Sequence, residues 1–215
     1  MKLTGTRSSA WSTVAVILGT VTAGTIAAGL LHNPQPEPVV IPGCAEVVQP
    51  EDMHRVNFAF VVAGDVDKSE VPWRFEAKAR AMTDALIAAL PTGAVVEPDP
   101  LAPAFGFDAV AVRQSLSGDA EAFGTITVGN RTGILTVTVG LSDQPAGPCF
   151  AGVVDERSTQ ADGTVVDTTN GTDTHRASAS APDGTRIDVN ARGVLTHEQV
   201  VDIALAPGLR ASAPA

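Results

Sequence analysis

From Trp11 to Leu31 the chain runs for 21 residues without a charged side chain. At about 1.5 Å of rise per helical residue, such a segment spans a hydrocarbon core of roughly 30 Å. Lys2 and Arg7 precede it, and Glu37 is the first charge after it. The positive-inside rule then sets residues 1–10 in the cytoplasm and the rest of the chain outside. Trp11 takes the place of an interfacial aromatic. The expectation is a single-pass membrane anchor carrying an extracytoplasmic domain. The competing reading is a cleaved signal peptide, which would leave the domain secreted. Ala27, Ala28 and Gly29 are small enough for cleavage, but the apolar regions of signal peptides span about 7–15 residues, and this one is longer. Either reading exports the domain.

Charge is distributed to match. The segment before His32 has no acid, so the remainder holds all 24 acidic residues against 12 of the 14 basic ones, a net charge of −12. A domain so acidic repels phosphate backbones, and no Lys/Arg cluster offsets it, so nucleic acid is excluded as a partner. Tyr is absent and aromatics are 4% of the chain. The core must therefore be built from Val, Ala, Leu, Ile and a few Phe.

Pro34, Pro36, Pro38 and Pro42 mark residues 32–50 as an extended spacer between the anchor and a domain at 51–210. The two cysteines, Cys44 and Cys149, lie outside the cytoplasm on this topology, where an even pair reads as a disulfide. No His stands near either one to make it a nucleophile.

Periodicity divides the domain. Val56, Phe58, Phe60 and Val62 alternate as a strand does. Phe75, Ala79, Met82, Leu86 and Leu90 follow helical spacing up to Pro91, with Glu76, Lys78, Arg80 and Asp84 on other faces. Ala109–Gln114 reads as a strand. Phe123–Val128 and Ile134–Val139 alternate on either side of Gly129-Asn130-Arg131-Thr132-Gly133, which predicts a hairpin. Turn signals at Asp162-Gly163, Asn170-Gly171 and Pro182-Asp183-Gly184 divide residues 150–192 into about four strands, a second antiparallel meander. Thr196 and Gln199 form a capping box before a short helix, with Leu195 and Val200 as its hydrophobic staple, and the tail to Ala215 reads as frayed. The fold class is α+β: an antiparallel sheet of about six to eight strands with helices packed on one face.

Asp183-Gly184-Thr185-Arg186-Ile187, then Leu195 to Ala204, then Pro207-Gly208-Leu209 resembles the closing segment of actinobacterial membrane-anchored extracytoplasmic proteins, and of some lipoprotein-sorting-like and anti-sigma-factor ectodomains. The resemblance covers about 30 residues and rests on a turn and a capping box. It implies a membrane-tethered bacterial domain and no catalytic residues.

The metal candidate is Asp65, Asp67, Ser69 and Glu76, which take the first, third, fifth and twelfth places of a calcium loop. Glu70 stands where that loop needs Gly, so a polar turn leading into a helix is the plainer reading. His32, His54, His175 and His197 show no ligand spacing. Nucleophile elbows, phosphate loops and dinucleotide fingerprints are missing from the sequence, and no cofactor is implied. The expectation is a non-enzymatic domain that binds a protein or lipid partner in the envelope. The alternatives are a ligand-carrying or signalling ectodomain and a secreted hydrolase with a dispersed site.

Overall fold

The alternating run after Asp119 folds into the longest hairpin of the chain. In the computed structural model, which describes residues 38–49, 71–98, 104–115 and 117–215, strands β3 (Ala120–Val128) and β4 (Arg131–Leu141) pair antiparallel over their whole overlap. The turn is tighter than the five residues expected, consisting of Gly129 and Asn130 alone. Gly129 has φ +63°, and a two-residue hairpin turn needs a positive φ at its first position. Gly133, read from sequence as part of the turn, lies inside β4. A Cβ there would stand 1.9 Å from the Arg192 carbonyl oxygen, so only glycine lets the neighbouring strand pair.

The described residues form a seven-stranded antiparallel sheet in the order β2-β3-β4-β9-β8-β7-β6. The remaining members are β2 (Val95–Pro98), β6 (Glu156–Thr159), β7 (Val165–Asn170), β8 (Thr174–Ser180) and β9 (Thr185–Arg192). The three turn signals after residue 160 divide β6 to β9 as expected. The two meanders are not separate, because β4 pairs with β9 from Ile134↔Arg192 to Leu141↔Thr185. A short parallel pair, β1 (Val47–Val48) with β5 (Cys149–Phe150), stands apart from this sheet.

One face of the large sheet is dry. Ala120, Ala122 and Ile126 of β3 line it, with Leu135 and Val137 of β4 and Ile187 and Val189 of β9. Toward β8 it narrows to Ala177 and Ala179, and α3 (His197–Ala204) packs on β8 and β9 there. The capping box of α3 is formed: Gln199 N–H donates to Thr196 Oγ1 at 3.3 Å, and Thr196 N–H donates to Gln199 Oε1 at 2.9 Å. Leu195 and Val200 are both buried, as a staple requires.

Helix α1 (Glu76–Ala89) is rich in Ala, Leu and Met and buries Ala79, Met82 and Leu86 at helical spacing. It ends at Leu90, extended because Pro91 follows. Phe75, expected on the apolar stripe, is instead the N-cap residue. The residue is 62% exposed, and its ring centroid lies 5.6 Å from the Arg74 guanidinium. Lys78, expected on a wet face, is buried, and its Nζ donates to the Arg210 carbonyl at 2.7 Å. Burial lowers its pKa, with the Asp183 charge acting the other way.

Ala109–Gln114, expected as a strand, is the helix α2. Asp108 caps it by accepting from Val110 N–H at 2.7 Å, and Ala109 and Val112 bury three residues apart. The cap and that spacing overcome the β preference of the two valines. The C-terminal tail is not frayed through Ser212. Leu209 is buried, Ala211 N–H donates to Thr185 Oγ1 at 2.8 Å, and Ser212 N–H donates to Asp183 Oδ2 at 3.1 Å.

No helix among the described residues is long and apolar enough to cross a membrane. Trp11–Leu31 and the strand expected at Val56–Val62 lie outside the described residues.

Two carboxylates near that tail carry a pH dependence. Asp162 is held at about 2 by the Thr164 amide, then by Arg210 at 2.7 Å. Partial burial works against the charge of Asp183, yet hydrogen bonds from Ser212 and Thr185 outweigh it and set its pKa at about 2. The folded chain thus binds fewer protons than the unfolded one below the ordinary 3.8. Their contribution is complete above about pH 4 and is lost as pH falls toward about 2. The double variant D162N/D183N should show a shallower drop in urea midpoint across that window than the parent. Parallel curves would contradict this.

Candidate functional site

Cys44 and Cys149 form the disulfide expected of them, with Cα atoms 6.1 Å apart and a separation of 105 positions in the sequence. Its surroundings are built from backbone. Val47–Val48 lies parallel to Cys149–Phe150, with Cys149 N–H donating to the Glu46 carbonyl and Ala151 N–H to the Val48 carbonyl, both at 3.0 Å. Pro42 accepts from Arg157 N–H at 2.9 Å. Residues 41–48, part of the stretch read as spacer, are therefore fastened to the domain.

This arrangement places residues 147–154 over the outer face of the sheet. That face is polar by register. One row across the strands reads Glu121, Thr138, Asp188, Ser178, Asp167, Arg157, and the next reads Phe123, Thr136, Asn190, Arg176, Thr169. Between face and roof lies a pocket of about 290 Å³, with Pro148, Phe150 and Val153 above and Arg176, Ser178 and Asn190 below.

Arg157 joins roof to floor. Its Nε and Nη2 grip Asp167 at 2.6 and 2.7 Å, and its Nη1 donates to the Gly147 carbonyl at 2.7 Å. The Asp167 hydrogen bond raises its pKa further. Two more bonds hold the roof. Thr169 Oγ1 donates to the Val153 carbonyl, and Asn170 N–H donates to Asp155 Oδ2 at 2.6 Å. Arg186 grips Asp188 in the same two-pronged way at 2.9 and 3.2 Å. These are the fork geometries that suit guanidinium and carboxylate.

A second, larger concavity lies at the edge of the sheet. Among the described residues β2 covers β3 from Gly124 to Thr127. Among the described residues, Ala120–Phe123 has no strand partner on that side. A groove of about 700 Å³ opens there between α1, α2 and β3. Thr83 braces its wall, accepting from Phe107 N–H at 2.9 Å while donating to the Ala79 carbonyl at 3.0 Å. Val110 and Phe123 present exposed apolar surface in it, and Glu76, Asp108 and Glu121 face a single base, Arg80.

Of the calcium candidates, Asp65, Asp67 and Ser69 lie outside the described residues. Glu76 opens α1 and lines the groove. Among the described residues no three His, Cys, Asp or Glu side chains are grouped to hold a metal ion. His32 and His54 are also outside the described residues. His175 Nδ1 meets Asn170 Oδ1 at 3.1 Å, and His197 Nδ1 is buried with no hydrogen-bond partner among the described residues.

The sequence pattern shows neither concavity. Arg176/Ser178, Asp167/Thr169 and Arg186/Asp188/Asn190 alternate on their strands, but only the strand order brings them onto one floor. Comparison with protein-family models, with curated proteins and with solved structures finds no match.

Proposed function

We propose that the chain is a membrane-anchored, extracytoplasmic binding domain of the cell envelope, and that its groove receives an extended segment of a partner protein. The charge asymmetry around Trp11–Leu31 supports the location. A disulfide between the chain's two cysteines agrees with an oxidising compartment. The groove beside β3, whose edge at Ala120–Phe123 has no strand partner among the described residues, carries the binding claim. Bare strand edges take added strands, and main-chain hydrogen bonds then supply affinity while side-chain pockets supply selectivity. Three acids against one base call for a segment with Lys or Arg beside its apolar residues.

Labelled eight-residue peptides alternating valine with lysine, titrated into the full-length chain in detergent, test this. Binding should weaken with salt, and it should fall about tenfold in F123S and in E121K. Intact cells carrying the chain should bind the same peptide from outside. Equal binding of a glutamate-for-lysine peptide, or unchanged affinity in both variants, would overturn the groove assignment. Binding only after the cells are opened would overturn the location.

A further inference from the structure

The roofed pocket on the outer sheet face has a charge arrangement that the groove does not explain. Three guanidiniums and two carboxylates line it. Both carboxylates are already satisfied, Asp167 by Arg157 and Asp188 by Arg186, each through two hydrogen bonds. The third guanidinium, Arg176, has no hydrogen-bond or ion-pair partner among the described residues. Its strand neighbour Asn190 and the nearby Ser178 likewise leave their side-chain donors unused there. In a chain of net charge −10, this exposed and uncompensated cation lines a pocket that also holds Phe150 and Val153.

We infer that this pocket binds a small carboxylate, its charged end on Arg176, Asn190 and Ser178 and its apolar part against Phe150 and Val153. The local charge decides the class of anion. With two of the three arginines neutralised, the floor carries one net positive charge, which suits a monoanion. A phosphate dianion would need a second uncommitted cation. Guanidinium meets carboxylate through two parallel hydrogen bonds, and the planar fork is pre-organised for it. At about 290 Å³ the space lies at the small end of ligand pockets. The roof supports the same reading. The Cys44–Cys149 bond, the Arg157 contact to Gly147 and the Thr169 contact to Val153 hold it over the floor. The pocket thus exists before any ligand arrives.

A carboxylate of this kind has two sources, a free small acid or the C-terminus of a peptide. Calorimetric titration of the full-length chain in detergent separates them. The probes are butanoate, phenylacetate, N-acetyl-Ala-Phe with a free carboxylate, the same dipeptide as its amide, and inorganic phosphate. At least one carboxylate should bind, the amide should not, and phosphate should bind more weakly. Preference for phenylacetate over the dipeptide assigns the free acid, and the reverse assigns the peptide terminus. Arg176→Met should reduce affinity about tenfold or more, as loss of a charge-assisted pair does. Arg192→Met, which removes a neighbouring guanidinium outside the pocket lining, should leave affinity unchanged. Arg176 is exposed, so its variant should melt with the parent. The groove variants F123S and E121K should also bind as the parent does, which keeps the two sites distinguishable. Three results would overturn the inference: no carboxylate binding at millimolar concentration, tighter binding of phosphate, or equal affinity in Arg176→Met.

Discussion

Trp73→Ala should destabilise the domain by about 3–5 kcal/mol, among the largest costs of a single truncation here. Trp73 follows Pro72 in a 3₁₀ turn and is fully buried beside Val71. It is one of two tryptophans in a chain whose core is otherwise mostly Ala, Val, Ile and Leu. Its turn packs against α1 and α2, and close-packed neighbours collapse only partly into a cavity of that size, so the void persists. The indole also has a polar duty. Its Nε1 donates to the Gly118 carbonyl at 2.8 Å, within the buried region. Trp73→Phe separates the two effects, since it retains much of the packing and removes the donor. It should cost about 1–3 kcal/mol, the penalty for an unsatisfied buried acceptor. Urea denaturation gives both numbers, provided the slope is unchanged. A loss below about 1 kcal/mol in the alanine variant would mean that the site repacks.

Breaking the Cys44–Cys149 bond is the second large effect. The loop it closes spans 105 residues, and in the chain-entropy model that constraint on the unfolded state contributes at most about 4–5 kcal/mol. The Cys44→Ser/Cys149→Ser variant should therefore unfold at much lower urea than the oxidised parent, and the reduced parent should match the variant. A local effect should accompany the global one. Residues 147–154 would keep Arg157 and Thr169 as tethers but lose the covalent one, so limited proteolysis should cut this roof first. Mass measurement without reduction checks the premise. Two free thiols, or an unchanged urea midpoint on reduction, would remove the claim.

The legibility of each element in the sequence depends on how local its signal is. The capping box at Thr196 and Gln199 acts within one helical turn, so its residues can be named before any tertiary contact. The glycine turns between β6 and β9 are local in the same sense. The stripe on α1 is legible at Ala79, Met82 and Leu86, since burial repeats at helical spacing. It fails at Phe75, because a period does not say where the helix begins. Ala109–Gln114 reads wrongly as a strand because Val110 and Val112 alternate like strand residues. The Asp108 cap and the surface offered to Ala109 and Val112 settle the matter the other way. Lys78 misleads for a related reason. Its burial depends on carbonyls at Arg210 and Ala213, more than 130 residues away.

The candidate sites are still less legible. Arg176 is an ordinary polar residue on an alternating strand until β9 lies beside β8 and the 147–154 roof is tied down over both. The groove lies where α1, α2 and β3 meet, and none of the three reveals that meeting alone.

The sequence by itself determined what depends on neighbours in the chain or on bulk partitioning. These are the uncharged run from Trp11 to Leu31 with its flanking charge asymmetry, the turns, the caps and the α+β alternation of periods. It also supplied two cysteines whose pairing, given an oxidising compartment, needed no geometry to anticipate. Tertiary structure alone decided which strands adjoin, and so which side chains share a surface. Pairing β4 with β9 merged two meanders into one sheet, and the disulfide, with Arg157, roofed its polar face. Contacts between residues far apart in the chain set those outcomes, and no window along the sequence contains both partners.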